Sequence, residues 1–314
     1  MIRFADLFCG IGGFHLAMEA AASERGLKAE CVFASDIDLD CQKAYAANFG
    51  MTPAGDIARI DADAIPDIDL LFGGFPCQPF SIIGDRKGFE DDRGGLIFET
   101  IRILKAKRPA AFVLENVKSL ASHQGGDALK RILDALEEIG YRARFKVLNA
   151  LDFGVPQKRE RIFIVGFREE TNFQFPEGEI PMKPLSEILE IDVPTNYVAS
   201  ELIQKKRMSQ ILGKSTPVPS IWHENKGGNV GVHEYSCALR AGASYNYLLV
   251  NGERRLTERE MLRLQGFPDD YEIVGGYAAL RKQAGNSVAV PCVSAVIGAV
   301  LDALNEKERN FNAI

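Results

Sequence analysis

Up to about Thr171, short apolar runs of strand length alternate with segments whose apolar residues recur every three or four positions. The runs at Arg3 to Phe8, Glu30 to Ser35, Asp69 to Phe72, Ala111 to Leu114, near Phe145 to Leu148 and at Ile162 to Phe167 predict strands, with those at Asp69 to Phe72 and Ala111 to Leu114 buried. Between them, Phe14, Ala17, Met18 and Ala21 share one helical face, Asp38 to Phe49 reads as a helix closed by Gly50, and Leu96 to Leu104 and Asp127 to Ile139 read as two more. Such alternation predicts an α/β domain around a parallel sheet. Beyond Thr171 the texture changes. Prolines stand at 176, 181, 184, 194, 217 and 219, apolar runs are short, and glycines occur in Lys226-Gly227-Gly228-Asn229, as in a smaller, loop-rich domain. Order returns at Thr257-Glu258-Arg259-Glu260, a capping box opening a helix through Gln265 that Gly266-Phe267-Pro268 stops. The most apolar segment, Val288 to Leu304, is interrupted by Pro291, Ser294, Gly298 and Asp302. It reads as a buried helix rather than a membrane span. Packed on the first sheet, it would bring both chain ends into one domain.

Composition adds bounds. The 314 residues are 46% hydrophobic and 25% charged, which suits one large or two unequal folded domains. The formal net charge is -6, but Asn196 to Leu264 carries +4 and the remainder -10. A basic segment in an acidic body is compatible with a local phosphate-binding face, and equally with a few solvated lysines. The six cysteines lack paired spacing, so neither a disulfide framework nor a zinc site is expected, and a reducing cytosol fits. No signal-peptide pattern precedes the first strand.

Candidate chemistry centres on Gly73 to Ser81, GGFPCQPFS, where Cys77 follows a buried strand and would stand at its carboxyl end, the place where open α/β sheets hold ligands. Pro76 restricts how the backbone presents the thiol. The polar, glycine-rich stretch from Ser81 to Gly95 has the composition of a covering loop. The first strand runs into Cys9-Gly10-Ile11-Gly12-Gly13, a glycine turn before a helix, suited to a ligand at the helix amino terminus. A nicotinamide cofactor would prefer G-x-G-x-x-G, and His15 in the last position counts against an oxidoreductase. Asp36, ending the second strand, is placed to accept bonds from ribose hydroxyls. Gly55-Asp56-Ile57 sets an acid beside an aliphatic, a pairing suited to an adenine ring or to a plain loop cap. Glu115 would meet Cys77 at one sheet edge, with its proton held by desolvation. Arg159 and Arg161, two apart, would point to one face of an extended chain and suit a carbonyl oxygen or a phosphate.

Together these segments resemble the bacterial DNA (cytosine-5)-methyltransferases of the restriction-modification type, over nearly the whole chain. The resemblance rests on DLFCGIGGF at Asp6 to Phe14, GDI at Gly55 to Ile57, GFPCQPFS at Gly74 to Ser81, GFEDDRG at Gly88 to Gly94, ENV at Glu115 to Val117, QKRERIF at Gln157 to Phe163, RLTERE and RLQGFPD between Arg255 and Asp269, and GNSVAVP at Gly285 to Pro291. It implies a Rossmann-like S-adenosylmethionine-dependent methyltransferase sheet over residues 1–180 plus 284–314, and a target-recognition domain over 181–283. It implies Cys77 as nucleophile, with Glu115, Arg159 and Arg161 around the base. S-adenosylmethionine would lie on Phe8, Gly10, Gly12, Asp36, Ile37, Asp56, Ile57, Pro76, Leu96, Asn286 and Ser287, leaving as S-adenosylhomocysteine. Double-stranded DNA would be met by Ser81, Asn229, His233 and Arg240, though Ala238-Leu239 stands where the family often has Thr-Leu. A cytoplasmic monomer paired with a restriction endonuclease is expected. Within the family a transfer-RNA methyltransferase is the rival reading, disfavoured because that branch tends to carry Pro-Pro-Cys where Phe75-Pro76-Cys77 stands. A non-catalytic DNA-binding relative is disfavoured by the intact Cys77, Glu115 and arginines.

Overall fold

The computed structural model describes residues 1–76 and 95–312, without the side chains of Gln124 and of residues beyond 306. The chain divides into two compact units: Met1–Leu148 with Glu160–Glu177 and Val293–Ile314, and Asn149–Arg159 with Gly178–Cys292. The second unit thus takes in the stretch 149–159 together with residues 178–292.

In the first unit, β1 (Ile2–Leu7), α1 (Gly13–Glu24), β2 (Ala29–Ser35), α2 (Leu39–Phe49), β3 (Leu70–Gly74), α3 (Leu96–Lys107), β4 (Ala111–Val117), α4 (Asp127–Glu138) and β5 (Arg142–Asn149) follow in turn. The two-residue β6 (Gln157–Lys158) belongs to the second unit, and β7 (Glu160–Phe167) returns to the sheet. The strand order is β2-β1-β3-β4-β7-β5. β1 runs parallel to β2 and β3, and β3 parallel to β4, so their carboxyl ends share one edge. Because β1 feeds neighbours on both sides, the order reverses there, and ligand crevices form at such switch points. These strands are apolar because both faces are covered: Phe4, Leu71, Phe72, Phe112, Val113, Leu114, Ile162 and Ile164 are fully buried.

β7 is antiparallel to β4, with Phe112 opposite Gly166, Glu115 opposite Phe163 and Val117 opposite Arg161. A Cβ on Gly166 would lie 2.3 Å from the Phe112 ring, so the aromatic side chain occupies the space a larger residue would need. The apolar carboxyl-terminal segment forms α8 (Val290–Asn312), long and apolar enough to cross a membrane by length and composition, but Val293, Val296, Ile297, Val300 and Leu301 are buried in the protein. Arg25, capping α1, forks onto Asp302 of α8 with two 2.7 Å bonds, so the two chain ends do share a unit.

The second unit has α5 (Glu201–Ile211), the short strands β8 (Ile221–Glu224), β9 (Val230–His233), β10 (Ser236–Cys237) and β11 (Leu248–Val250), then α6 (Glu258–Leu264) and α7 (Tyr277–Asn286). β11, β8 and β9 form an antiparallel sheet in that order, and β10 pairs in parallel with β6. The capping box forms: Thr257 accepts from the Glu260 amide at 3.1 Å, and Glu260 accepts from the Thr257 amide at 2.8 Å.

Candidate active site

Four parallel strands deliver the site's backbone. Past β1 the chain bends sharply, with Phe8, Gly10 and Gly12 at φ of 55°, 54° and 81°. Two of these are glycine for different reasons. A Cβ on Gly12 would overlap the Phe49 ring at 2.1 Å, so that glycine lets α1 pack on α2. A Cβ on Gly10 would meet nothing within 4 Å, so its backbone lies open to a ligand. The Gly10 amide donates to Asp36 at 2.8 Å, and the other Asp36 oxygen accepts the Asp38 amide at 2.8 Å. These bonds fix an acceptor-only carboxylate beside the glycine turn. Ile37 next to it is 70% exposed, an apolar face open to solvent.

Beneath this turn, Asp6 is fully buried. Burial and the Asp36 carboxylate push its pKa well up, against the lowering effect of the His15 backbone. Burial also pushes up the Cys9 thiol, with Asp6 and Asp36 adding to it, while Cys31 is raised to about 12 and Cys237 is raised as well. These thiols are poor nucleophiles, since the thiolate is the reactive form.

β3 ends at Gly74, leading through buried Phe75 and exposed Pro76 toward Cys77, which lies with Ser81 outside the described residues. Glu115 is not at the end of β4 but inside it, opposite Gly74, and is 8% exposed. A Cβ on Gly74 would sit 3.5 Å from a Glu115 oxygen, so the glycine leaves room for that carboxylate. Arg161 Nε stands 2.9 Å from Glu115 Oε1. Asn116, also buried, donates to the Phe75 carbonyl at 2.8 Å and fixes the chain two residues before the cysteine. A second polar residue at the end of a buried strand was the available signal for it.

Arg159 lies in the break between β6 and β7, so strand alternation does not run through it to Arg161. Its side chain is 3% exposed and donates to main-chain carbonyls of the second unit. Other expected site residues have structural partners. Ile57 is 2% exposed in the core, and Asp56 caps a short helical turn by accepting from Ala58 at 3.0 Å, with Arg59 at 3.6 Å. Leu96 begins α3. In the second unit Asn286 ends α7, exposed, and Ser287 follows with its hydroxyl buried and unbonded among the described residues.

Lys226 to Asn229 form the turn of the β8–β9 hairpin, where the Asn225 side chain accepts from Gly227 and Asn229 at 2.9 and 3.0 Å. Asn229 is exposed. His233 stacks on Tyr235, its pKa lowered by burial and by Lys158. Arg240 is exposed, 4.8 Å over the Tyr247 ring.

Residues 2–302 match the family model for C-5 cytosine-specific DNA methylases. The chain is 54% identical to the Type II methyltransferase M.NgoBI of Neisseria gonorrhoeae, over 94% of this chain and 92% of that protein. It is 53% identical to the Type II methyltransferase M.HaeII of Haemophilus aegyptius, over 98% and 95%. The crystal structure of the S. pombe Dnmt2 methyltransferase superposes with a TM-score of 0.73, covering 97% of this chain and all of that one, at 23% identity, a likeness of fold. The α/β sheet of the first unit belongs to the fold that this methyltransferase structure shares. The chain is an enzyme of the C-5 cytosine-specific DNA methylase family.

Proposed function

We propose that this protein methylates C5 of cytosine within a short specific sequence of double-stranded DNA, protecting the DNA of a bacterial cytosol from a cognate restriction endonuclease. The observation that carries this reading is the buried Glu115–Arg161 pair beside Gly74, three residues before Cys77. Cytosine C5 is a poor nucleophile. Addition of the Cys77 thiolate at C6 would break the C5–C6 π bond and put electron density on C5. A free thiol is only a few per cent ionised at neutral pH, given a pKa of about 8.5, so the site's positive charge would matter. Glu115 would hydrogen-bond N3 and the exocyclic amine, relieving charge that addition pushes into the ring. Arg161 would orient that carboxylate and reach O2. Loss of the C5 proton would then return electrons to the ring and expel Cys77 as thiolate. The base must leave the duplex first, at about a few kcal/mol.

S-adenosylmethionine would supply the electrophilic methyl group. Open Gly10, the fixed Asp36 carboxylate and exposed Ile37 fit a ligand with hydroxyls, an amine and an aromatic ring. In the second unit, Asn286 and the Ser287 hydroxyl, unbonded among the described residues, would contact the donor as well. The raised thiols of Cys9, Cys31 and Cys237 and the burial of Cys41 and Cys292 support Cys77 as the nucleophile. Asn229, His233 and Arg240, with Ser81, would meet the DNA, and the enzyme would act as a monomer.

The test is methyl transfer from labelled S-adenosylmethionine to duplex DNA and to transfer RNA, with trapping on a 5-fluorocytosine duplex. Transfer to the duplex and a covalent adduct lost in Cys77→Ser are expected. Transfer to RNA alone, or an adduct that survives the substitution, would refute the reading. Bisulfite sequencing of DNA from expressing cells gives the site.

A further inference from the structure

The Arg159 guanidinium reaches three main-chain carbonyls: Leu239 and Gly285 at 3.2 Å each, and Ser287. A guanidinium is a planar, permanently charged fork of five donors, so three carbonyls converging on it are held in a set geometry. Gln157, fully buried, works on the same neighbourhood. Its Oε1 accepts from the Leu239 amide at 2.9 Å, and its Nε2 donates to the Leu264 carbonyl at 2.7 Å and to Gln265 Oε1 at 3.2 Å. Gln265 in turn donates to the Ala284 carbonyl at 2.5 Å. Gly285 approaches closely as well: a Cβ there would lie 2.3 Å from the Ala241 nitrogen.

One buried polar network therefore joins two short segments, 239–241 and 284–287. The first opens a loop that presents exposed Arg240 beside a cavity of about 460 Å³, which Lys226 and Ser244 also line. Arg281 donates to the Ala243 carbonyl at 2.5 Å and steadies that loop. The second carries Asn286 and Ser287.

We infer that Arg159 and Gln157 are positioning residues that couple donor binding at the Asn286–Ser287 turn to the setting of the Arg240 loop on DNA. The identity of the two ligands rests on the proposed function. Coupling of this kind is reciprocal: whatever factor the donor gives to DNA affinity, DNA gives to donor affinity.

The experiment measures Kd for S-adenosylhomocysteine with full-length enzyme, with and without a duplex carrying the target site, and single-turnover methyl transfer at saturation. Wild type is expected to bind about tenfold tighter with the duplex present. Arg159→Lys should bring that factor close to one, while saturating single-turnover transfer falls by less than about fivefold. A retained factor with transfer reduced about a hundredfold or more would overturn the inference, because Arg159 would then touch the reacting base. Hydrogen exchange on wild type needs no variant. S-adenosylhomocysteine alone should slow exchange of the Leu239 amide, and slowing confined to Gly10 and its neighbours would equally overturn the coupling. Wild type that methylates DNA with a factor of one defeats the coupling alone, whereas wild type that binds no donor product defeats the proposed function and the coupling with it.

Discussion

The two units are held together by different means. In the first, the centre of the sheet is hydrocarbon, and its backbone polar groups are paired along the strands. In the second, strands are two to four residues long and much of the interior order comes from charged or amide side chains reaching backbone. Arg207, 1% exposed, holds the Trp222 carbonyl at 3.4 Å, Glu224 at 3.1 Å and the Asn246 carbonyl. Buried Glu260 accepts a bidentate fork from Arg254 at 2.7 and 2.8 Å and the Glu190 amide at 2.9 Å. An apolar interior tolerates another side chain of similar volume, but a polar scaffold does not, because each lost partner leaves a buried group without one.

The largest effect tests chemistry against scaffold. Cys77→Ser should remove turnover, and Glu115→Gln should lower kcat by about 10²–10³, with melting temperatures and duplex binding near wild type. A large fall in melting temperature would make Glu115 a structural residue of the sheet unit. Next, Arg207→Ala should cost about 3–5 kcal/mol in denaturant unfolding, and Arg207→Lys should recover little of it. Phe112→Ala in the sheet should cost about 3–5 kcal/mol, but Phe112→Leu less than about 2. Equal recovery by Lys and by Leu would erase the contrast. Thr257→Ala should cost about 1 kcal/mol through the lost cap.

The smallest effects concern pH and have opposite signs within the first unit. Arg25 holds the Asp302 carboxyl below its usual range. Its contribution is present above the ordinary carboxylate pKa of about 3.9 and is lost as pH falls through the lowered folded value, a few tenths of a kcal/mol at this exposed pair. Asp6 is raised, so its contribution is complete below about 3.9 and is lost as pH rises toward the folded value. Melting Asp6→Asn from pH 4 to 8 and Asp302→Asn from pH 2 to 5 checks both. The first variant should gain on wild type as pH rises, and the second should lose ground.

What sequence could show follows the same division. β1, β2, β3 and β4 begin within one residue of the expected positions, because strands covered on both faces are apolar runs with clear flanks. α5 escaped, since Glu201 to Ile211 has no apolar stripe and buries Arg207. The short strands β8, β9 and β11 lie among prolines and glycines, where four-residue runs carry too little pattern. The glycine turn and Asp36 fall where the sequence puts them, just past β1 and β2, whereas Glu115 lies within β4 rather than at its end. The burial of Arg159 was not legible, because two-residue spacing predicts a shared face with Arg161 only where the strand is continuous, and here it breaks.

The empty Cα of Gly166 acts as a keyway for the Phe112 ring. Sliding β7 by one position would drive Val165 or Phe167 into that ring and turn Arg161 to the other face. The alignment of an arginine with its glutamate is thus indexed by a notch several rungs away, so insertions that the connecting loops absorb would misalign the pair if made between Arg161 and Gly166.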